Sequence, residues 1–149
     1  MYRIRQSTKQ DISRIAEIII VNYRINFYPI FKNDDFYFKE LQVVSLANEY
    51  ILDNDFLSNT YVYDDGIIKG IINIKNKEIK NLFVEPSFQN LGIGDKLLNY
   101  AIEHHNVNYL WALEKNFRAI KFYKNHGFYF TGDKKFEDDT NEYLIKLER

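Results

Sequence analysis

The sequence of 149 residues contains no cysteine, so disulfide bonds, thiolate metal sites and a cysteine nucleophile are all excluded. No apolar run approaches the length that spans a membrane, and the opening stretch MYRIRQSTKQD lacks the apolar core of a signal peptide. The net charge is −1, so no overall field favours nucleic acid or an anionic membrane. These absences predict a cytoplasmic protein that binds neither nucleic acid nor membrane, and they leave open whether it is a monomer or a homodimer.

The composition is that of a globular domain, with 46% hydrophobic and 28% charged residues. Twelve tyrosines and twelve phenylalanines supply large apolar faces, and each tyrosine adds a polar hydroxyl. No repeat, linker or low-complexity tract divides the chain. Residues 1–149 are therefore predicted to form a single domain.

Patterning predicts an α/β fold in which helices interrupt strands. Thr8 with Asp11 three residues later indicates a capped helix start, and Asn116 and Gly127 mark the two ends of a later helix. The aromatic stretch 22–38 is expected to be a connection, because it contains Pro29 and an Asn-Asp-Asp cluster. Strands are predicted at 2–6, in a hairpin at 60–75, and at 77–86, 109–113, 128–132 and 141–147; further helices are predicted at about 35–52 and after Gly92. Together they indicate one mixed central sheet flanked by helices on both faces.

The stretch FVEPSFQNLGIGDKLL, residues 83–98, places two glycines between a strand and a helix. A helix start carries unpaired N–H groups and roughly half a positive charge, which makes it suited to an anion. A P-loop would need a lysine followed by a hydroxyl residue, and Lys96 is followed by Leu97. A dinucleotide fingerprint would need a third glycine at position 97. Neither pattern fits.

A third pattern, Gln-x-x-Gly-x-Gly after a strand ending in Val-x-Pro, is present as Val84, Pro86, Gln89, Gly92 and Gly94. In these residues the sequence resembles the GNAT superfamily of acetyl-CoA-dependent N-acetyltransferases. The segment NFRAIKFYKNHGF, residues 116–128, resembles a second motif of that family at the expected separation. The order of the predicted elements also matches the family's fold from end to end.

The resemblance implies that acetyl-CoA binds at the glycine corner, with its pyrophosphate on the N–H groups of residues 89–95 and its pantetheine arm beside the preceding strand. No metal is expected. One departure from the family is Asp95, whose carboxylate would repel a phosphate and is expected to face solvent. The implied cofactor residues are Leu82, Phe83, Val84, Gln89, Asn90, Leu91, Gly92, Ile93, Gly94, Asp95, Asn116 and Tyr123.

The family resemblance also places a general-acid tyrosine at Tyr123, where it would protonate the departing thiolate. The donor to the thioester carbonyl oxygen would be the amide of Phe83 or Val84. Glu114 is the first choice for the general base, directly or through water. Glu78 and Glu85 are weaker alternatives for that base.

The three histidines are expected to be structural or surface residues, because adjacent His104 and His105 diverge on a helix and cannot easily share a metal ion. For the acceptor, the aromatic connection 22–38 together with Glu40 and Glu49 would suit a cationic amine. The acceptor itself is not identified by the sequence.

The function that follows is direct acetyl transfer from acetyl-CoA to a primary amine of a small molecule or a peptide. The alternative is a module that binds CoA or acyl-CoA as a signal and performs no chemistry. A pure sensor has no need of an acid beside the thioester sulfur, so Tyr123 favours the enzyme. A different nucleotide-binding protein is a third, weaker interpretation.

Overall fold

The computed structural model describes residues 1–149, and its strands form one seven-stranded sheet in the order β1-β2-β3-β4-β5-β7-β6. All neighbouring strands are antiparallel except β4 and β5, which are parallel. The predicted mixed sheet in a single domain is therefore confirmed. The strands are β1 (Arg3–Gln6), β2 (Thr60–Asp64), β3 (Ile68–Lys75), β4 (Glu78–Val84), β5 (Tyr109–Leu113), β6 (Tyr129–Phe136) and β7 (Tyr143–Glu148).

Six α-helices accompany the sheet: α1 (Ile12–Asn26), α2 (Tyr28–Phe31), α3 (Val43–Ile51), α4 (Asn54–Ser58), α5 (Ile93–His105) and α6 (Phe117–Asn125). Short 3₁₀ turns at Lys9–Asp11 and Pro86–Phe88 precede α1 and α5. The predicted capping pair is present, since the Asp11 carboxylate accepts the Thr8 N–H at 2.8 Å. Every helix is too short or too polar to cross a lipid bilayer.

Helices cover both faces of the sheet, as the pattern predicts. Successive side chains of a strand point to opposite faces, so Ile71 and Phe83 pack on α1 while Ile72 packs on α5. The α1 face is built from Ile15, Ile18, Ile19, Val62, Ile71 and Phe83. The opposite face includes Ile93, Leu97, Leu98 and Ala101 of α5 and Tyr123 of α6. The sheet therefore fixes α5 and α6 side by side on one face.

The aromatic stretch 22–38 differs from the predicted connection. Helix α1 continues to Asn26, and a one-turn helix with Pro29 in its first turn follows at once. The predicted helix at about 35–52 is also wrong in part: Phe36–Glu40 forms a π-helical turn, the chain is extended at Leu41, and α3 begins only at Val43. Proline is tolerated in a first helical turn, because the N–H it lacks has no partner there. The structure also adds α4, which was not predicted from the sequence although Asp53 caps its start by accepting the Phe56 N–H at 2.9 Å.

Strand β4 separates from β5 soon after the two strands meet. The parallel pairing covers only the first two residues of each strand. On the other side of β4, Ile79 and Asn81 oppose neighbouring residues of β3, which makes Lys80 the extra residue of a β-bulge. A bulge bends the strand that carries it. The bend opens a gap between the carboxyl-terminal halves of β4 and β5.

Candidate functional site

The gap between β4 and β5 is the floor of a cleft of about 1150 Å³. Its walls are the loop before α5, one side of α6, the end of α1 with the aromatic residues that follow it, and the turn between β6 and β7. The carboxyl ends of the only two parallel strands meet here, which is where ligands bind in many α/β sheets. All predicted cofactor residues line this cleft except Leu91, whose side chain is 65% exposed.

The end of the loop and the first turn of α5 together present six consecutive backbone N–H groups, from Asn90 to Asp95, that donate to no acceptor in the chain. The next N–H, of Lys96, donates to the Gly92 carbonyl at 3.1 Å and begins the helical pattern. The N–H of Gln89 is already bound to the Pro86 carbonyl at 3.4 Å. The free donors therefore run over residues 90–95, and they coincide with the positive end of the α5 dipole.

Glycine is needed at positions 92 and 94 for different structural reasons. Gly92 is the N-cap of α5 and has φ = +83°. Residues with a side chain adopt this left-handed backbone conformation only under strain. Gly94 has no such requirement, but a Cβ there would touch the Phe122 ring at 3.4 Å and come within 3.9 Å of Val84. Its missing side chain lets α6 approach the loop and keeps the backbone open to a bulky group.

Asp95 is 53% exposed, and its carboxylate does not simply face solvent as the sequence suggests. Its Oδ1 lies 2.8 Å from Nε2 of His126, whose Nδ1 lies 2.8 Å from the carbonyl oxygen of Phe122. The imidazole therefore bridges the Asp95 carboxylate and the end of α6, and it holds this carboxylate to one side of the free N–H groups.

Backbone direction along β4 determines which groups face the gap. The Glu85 N–H donates to the Lys69 carbonyl of the neighbouring chain segment at 2.8 Å, so residue 85 is directed toward β3. This direction alternates along an antiparallel strand. Phe83 is therefore also directed to β3, whereas Leu82 and Val84 direct their N–H and C=O groups toward the gap.

The Val84 carbonyl is already engaged at this edge. It accepts hydrogen bonds from Nδ2 of Asn22 and from Nε2 of Gln89, each at 3.1 Å. Gln89 thereby ties the loop to the end of β4, and Asn22 ties α1 to it. The groups left for a ligand are the Val84 N–H and both polar groups of Leu82, a short edge that could accept an extended chain.

Tyr123 lies under the cleft with its side chain 7% exposed. The rings of Phe122 and Phe128 hold it edge-on at centroid distances of 5.2 and 5.5 Å. Its hydroxyl has no hydrogen-bond partner in the chain. Every side-chain polar atom that is fully occluded does have a partner, so the Tyr123 hydroxyl is not fully occluded and opens into the cleft. Burial raises the pKa of this phenol above its ordinary value. It is a neutral donor at physiological pH.

Asn116 caps α6, as the sequence predicts, because its Oδ1 accepts the Ala119 N–H at 3.3 Å. Its amide nitrogen has no partner in the chain, and the side chain lines the cleft. Capping and contact with a ligand are thus compatible at this residue.

The carboxylates chosen from the sequence as bases lie outside the cleft lining. Glu114 pairs with Lys134 at 2.5 Å, and Glu85 pairs with Arg14 at 2.9 Å. Glu78 accepts the Tyr109 hydroxyl at 3.5 Å. A role for Glu114 as base therefore requires a relay through water.

Two sets of charged residues in the cleft were missed by the sequence reasoning. Arg118 and Lys121 line it from α6 together with Phe122 and Asn125, and their spacing of three and four residues marks one helical stripe that could have been recognised. The second set is the acidic turn, residues 137–140 between β6 and β7. No local pattern connects this turn with the aromatic residues across the cleft. Glu40 and Glu49, the acidic residues predicted to lie near the acceptor, do not line the cleft.

Comparison with known proteins gives matches in sequence. The Acetyltransferase (GNAT) domain family matches residues 57–129. An uncharacterized N-acetyltransferase of Methanocaldococcus jannaschii is 32% identical over 138 residues, which cover 85% of this chain but only 60% of that protein's length. An uncharacterized N-acetyltransferase of Archaeoglobus fulgidus is 30% identical over 129 residues, which cover 80% of this chain and 88% of that protein.

The fold is also found among solved structures. The crystal structure of PaiA N-acetyltransferase from Thermoplasma acidophilum, in complex with coenzyme A, matches with a TM-score of 0.73. The match covers 100% of this chain and 99% of the other at 17% sequence identity, and at that identity it shows a shared fold.

Proposed function

The chain belongs to the GNAT family of N-acetyltransferases, and from that premise we propose that it transfers an acetyl group from acetyl-CoA directly to a primary amine. The observation that carries the proposal is the row of six free N–H groups at residues 90–95, which ends within the same cleft as the Tyr123 hydroxyl. The proposal includes the cytoplasmic setting that the sequence predicts.

The residues present fit acetyl-CoA. The N–H groups of residues 90–95 and the α5 dipole would hold the pyrophosphate, and Arg118 and Lys121 add positive charge on the adjoining side of the cleft. The free N–H and C=O groups of Leu82 would pair with the amides of the pantetheine arm. Asn116 contributes a free amide nitrogen.

Acetyl-CoA would supply an activated thioester, and the chain's own groups would act on the atoms around it. The Val84 N–H, directed into the gap, would donate to the carbonyl oxygen as that oxygen gains negative charge. The Tyr123 hydroxyl would give its proton to the departing sulfur. The amine must lose a proton before it attacks, and Glu114 would receive that proton through water.

The absence of cysteine favours transfer without a covalent enzyme intermediate. The direct test is an initial-rate study of CoA release in which acetyl-CoA and a primary amine are varied together. Intersecting double-reciprocal lines are expected, because both substrates must be bound at once. Parallel lines, or a stable acetyl adduct on the protein after incubation with acetyl-CoA alone, would contradict direct transfer.

The sensor alternative predicts a different result in the same experiment. A module that only binds acyl-CoA would bind acetyl-CoA tightly and release CoA no faster than the uncatalysed reaction with any amine. The acid hydroxyl at Tyr123 is the observation that favours the enzyme over the sensor.

A further inference from the structure

The end of the cleft remote from the glycine loop is aromatic and acidic. The aromatic wall consists of side chains from α1, α2 and the π-helical turn, namely Tyr23, Phe27, Phe31, Phe36 and Tyr37. Facing it is the acidic turn, with Glu137, Asp138, Asp139 and Thr140. The opposite end carries Arg118 and Lys121 on α6. The cleft is therefore positive where an anion would bind and negative at its far end.

Tyr37 is the second buried phenol of the cleft without a partner. Its side chain is 5% exposed, and its hydroxyl makes no hydrogen bond in the chain. The ring is fixed by edge contacts with Tyr28 and Phe36 at 5.9 and 4.9 Å, and its backbone carbonyl accepts Nε of Arg24 at 2.9 Å. Buried hydroxyl groups are normally paired. Tyr37 lines the cleft, so its unpaired hydroxyl is available to a polar ligand there.

Glu137 is the half-buried carboxylate of the acidic turn, and no basic side chain pairs with it. Three other glutamates near the cleft, Glu85, Glu114 and Glu142, are each neutralised by a lysine or an arginine. The Glu137 backbone is held, since its N–H donates to the Glu142 carbonyl at 2.8 Å and its own carbonyl accepts the Thr140 N–H at 3.1 Å. One carboxylate oxygen accepts the Asp138 N–H at 3.2 Å, and the other is free.

The charge of Glu137 acts on two phenols of the aromatic wall. Burial and then the Glu137 carboxylate raise the pKa of Tyr23; burial, Tyr23 and the same carboxylate raise the pKa of Tyr37 to about 12. The raised pKa of Tyr123 has burial as its cause, with no contribution from any carboxylate. Glu137 and both phenols line the same cleft, so the carboxylate acts on these two tyrosines across it.

We infer that the acceptor is a small diamine and that this end of the cleft binds its second ammonium, which stays charged during the reaction. Glu137, Tyr37 and Tyr23 are the partners of that ammonium. The inference rests on the proposed function. The amine that is acetylated must be neutral when it attacks, so a site for a lasting charge serves a different group. Two phenol oxygens and a carboxylate oxygen match the three donors of an ammonium, and the aromatic wall adds cation–π attraction.

The test compares two amines that differ only in the second charge. Cadaverine carries a second ammonium, and aminopentanol of the same chain length carries a neutral hydroxyl in its place. Calorimetric titration of the protein with each amine is expected to show cadaverine binding on the order of tenfold to hundredfold more tightly, since a charged hydrogen bond is lost in the alcohol. Glu137→Gln is expected to remove that preference, and Tyr37→Phe to reduce it.

Glu142→Gln is the matched control, because Glu142 lies in the same connection but pairs with Lys115 outside the cleft lining. That variant should keep the preference for cadaverine. Equal binding of the two amines by the unchanged protein, or an unchanged preference in Glu137→Gln, overturns the inference. Acetyl transfer, followed separately as CoA release, tests the proposed function: binding that depends on Glu137 without turnover would reject the transferase and retain the diamine site.

Discussion

Replacing Tyr123 with phenylalanine separates catalysis from folding unusually well in this chain. The hydroxyl has no hydrogen-bond partner in the protein, and the ring is packed between Phe122 and Phe128. Phenylalanine preserves that packing and leaves no donor or acceptor unpaired. The free energy of unfolding is therefore expected to change by less than about 0.5 kcal/mol, since no net hydrogen bond is lost.

The expected effect on the reaction is large. A positioned general acid contributes about 10² to 10⁴ in rate, and each factor of ten corresponds to about 1.4 kcal/mol of barrier. Tyr123→Phe should lower kcat by that factor while the Kd for acetyl-CoA changes by less than about threefold, because the proposed pyrophosphate and pantetheine contacts involve other residues. The assay is CoA release at saturating amine, with the Kd measured by calorimetry.

The pH dependence gives a second readout of the same group. A general acid must be protonated to act, and a pKa raised above the ordinary value of 10 moves the loss of that proton to higher pH. The kcat of the unchanged protein should therefore show no fall from this group between pH 7 and about 9.5. If kcat of the unchanged protein falls in that pH range, and the fall is absent in Tyr123→Phe, the raised pKa is contradicted.

Tyr50→Phe is the control for removal of an unpaired, half-buried phenol. Tyr50 is stacked on Phe56 at 3.9 Å, its hydroxyl has no partner in the chain, and it does not line the cleft. Its variant should keep full activity. The assignment of Tyr123 as the acid is refuted if Tyr123→Phe turns over as fast as the unchanged protein.

Two further variants test other parts of the structure. His126→Gln removes the imidazole nitrogen that lies 2.8 Å from the Asp95 carboxylate beside the free N–H groups. It should weaken CoA binding about threefold to tenfold by calorimetry, because the released carboxylate can turn toward the phosphates and repel them. Adding Asp95→Asn should restore binding, and no restoration would contradict the pairing. Asp11→Asn should lower the free energy of unfolding by about 1–3 kcal/mol in urea titrations at pH 7, because the Arg5 guanidinium lies 2.8 Å from that carboxylate. Hydrogen bonding from Arg5 lowers the pKa of Asp11, so this stabilisation is present above the unfolded pKa and is lost as the pH falls through the folded one; equal acid sensitivity of the variant and the unchanged protein would contradict it.

Much of the fold follows from local pattern. The glycine loop, the Thr8–Asp11 cap and the Asn116 cap are set by residues within a few positions of one another, and each is present in the structure as the sequence predicts. The strands are likewise identified by alternation. The helix at about 35–52 was wrong in part, because the π-helical turn and the break at Leu41 depend on how aromatic side chains pack against α1.

The candidate site was only partly predictable, because its remaining features depend on residues far apart in the chain. The bulge at Lys80 is a matter of register between β3 and β4, and it is what opens the cleft. The pairing of Asp95 with His126 joins separate elements, and so does the placement of Glu137 and Tyr37 in one cleft. No spacing rule within one segment connects such residues.

The central claim is that the loop of residues 90–95 binds coenzyme A, and its most direct test is thermal unfolding of the protein alone and with acetyl-CoA, CoA, ATP or NAD at equal concentration. A ligand at a hundred times its Kd adds about 2.7 kcal/mol to the free energy of unfolding. In a domain of this size that corresponds to a rise of roughly 5 to 10 °C in Tm. The account predicts such a rise with acetyl-CoA and CoA and none with ATP or NAD, whereas an unchanged Tm with both CoA species at saturating concentration would contradict it.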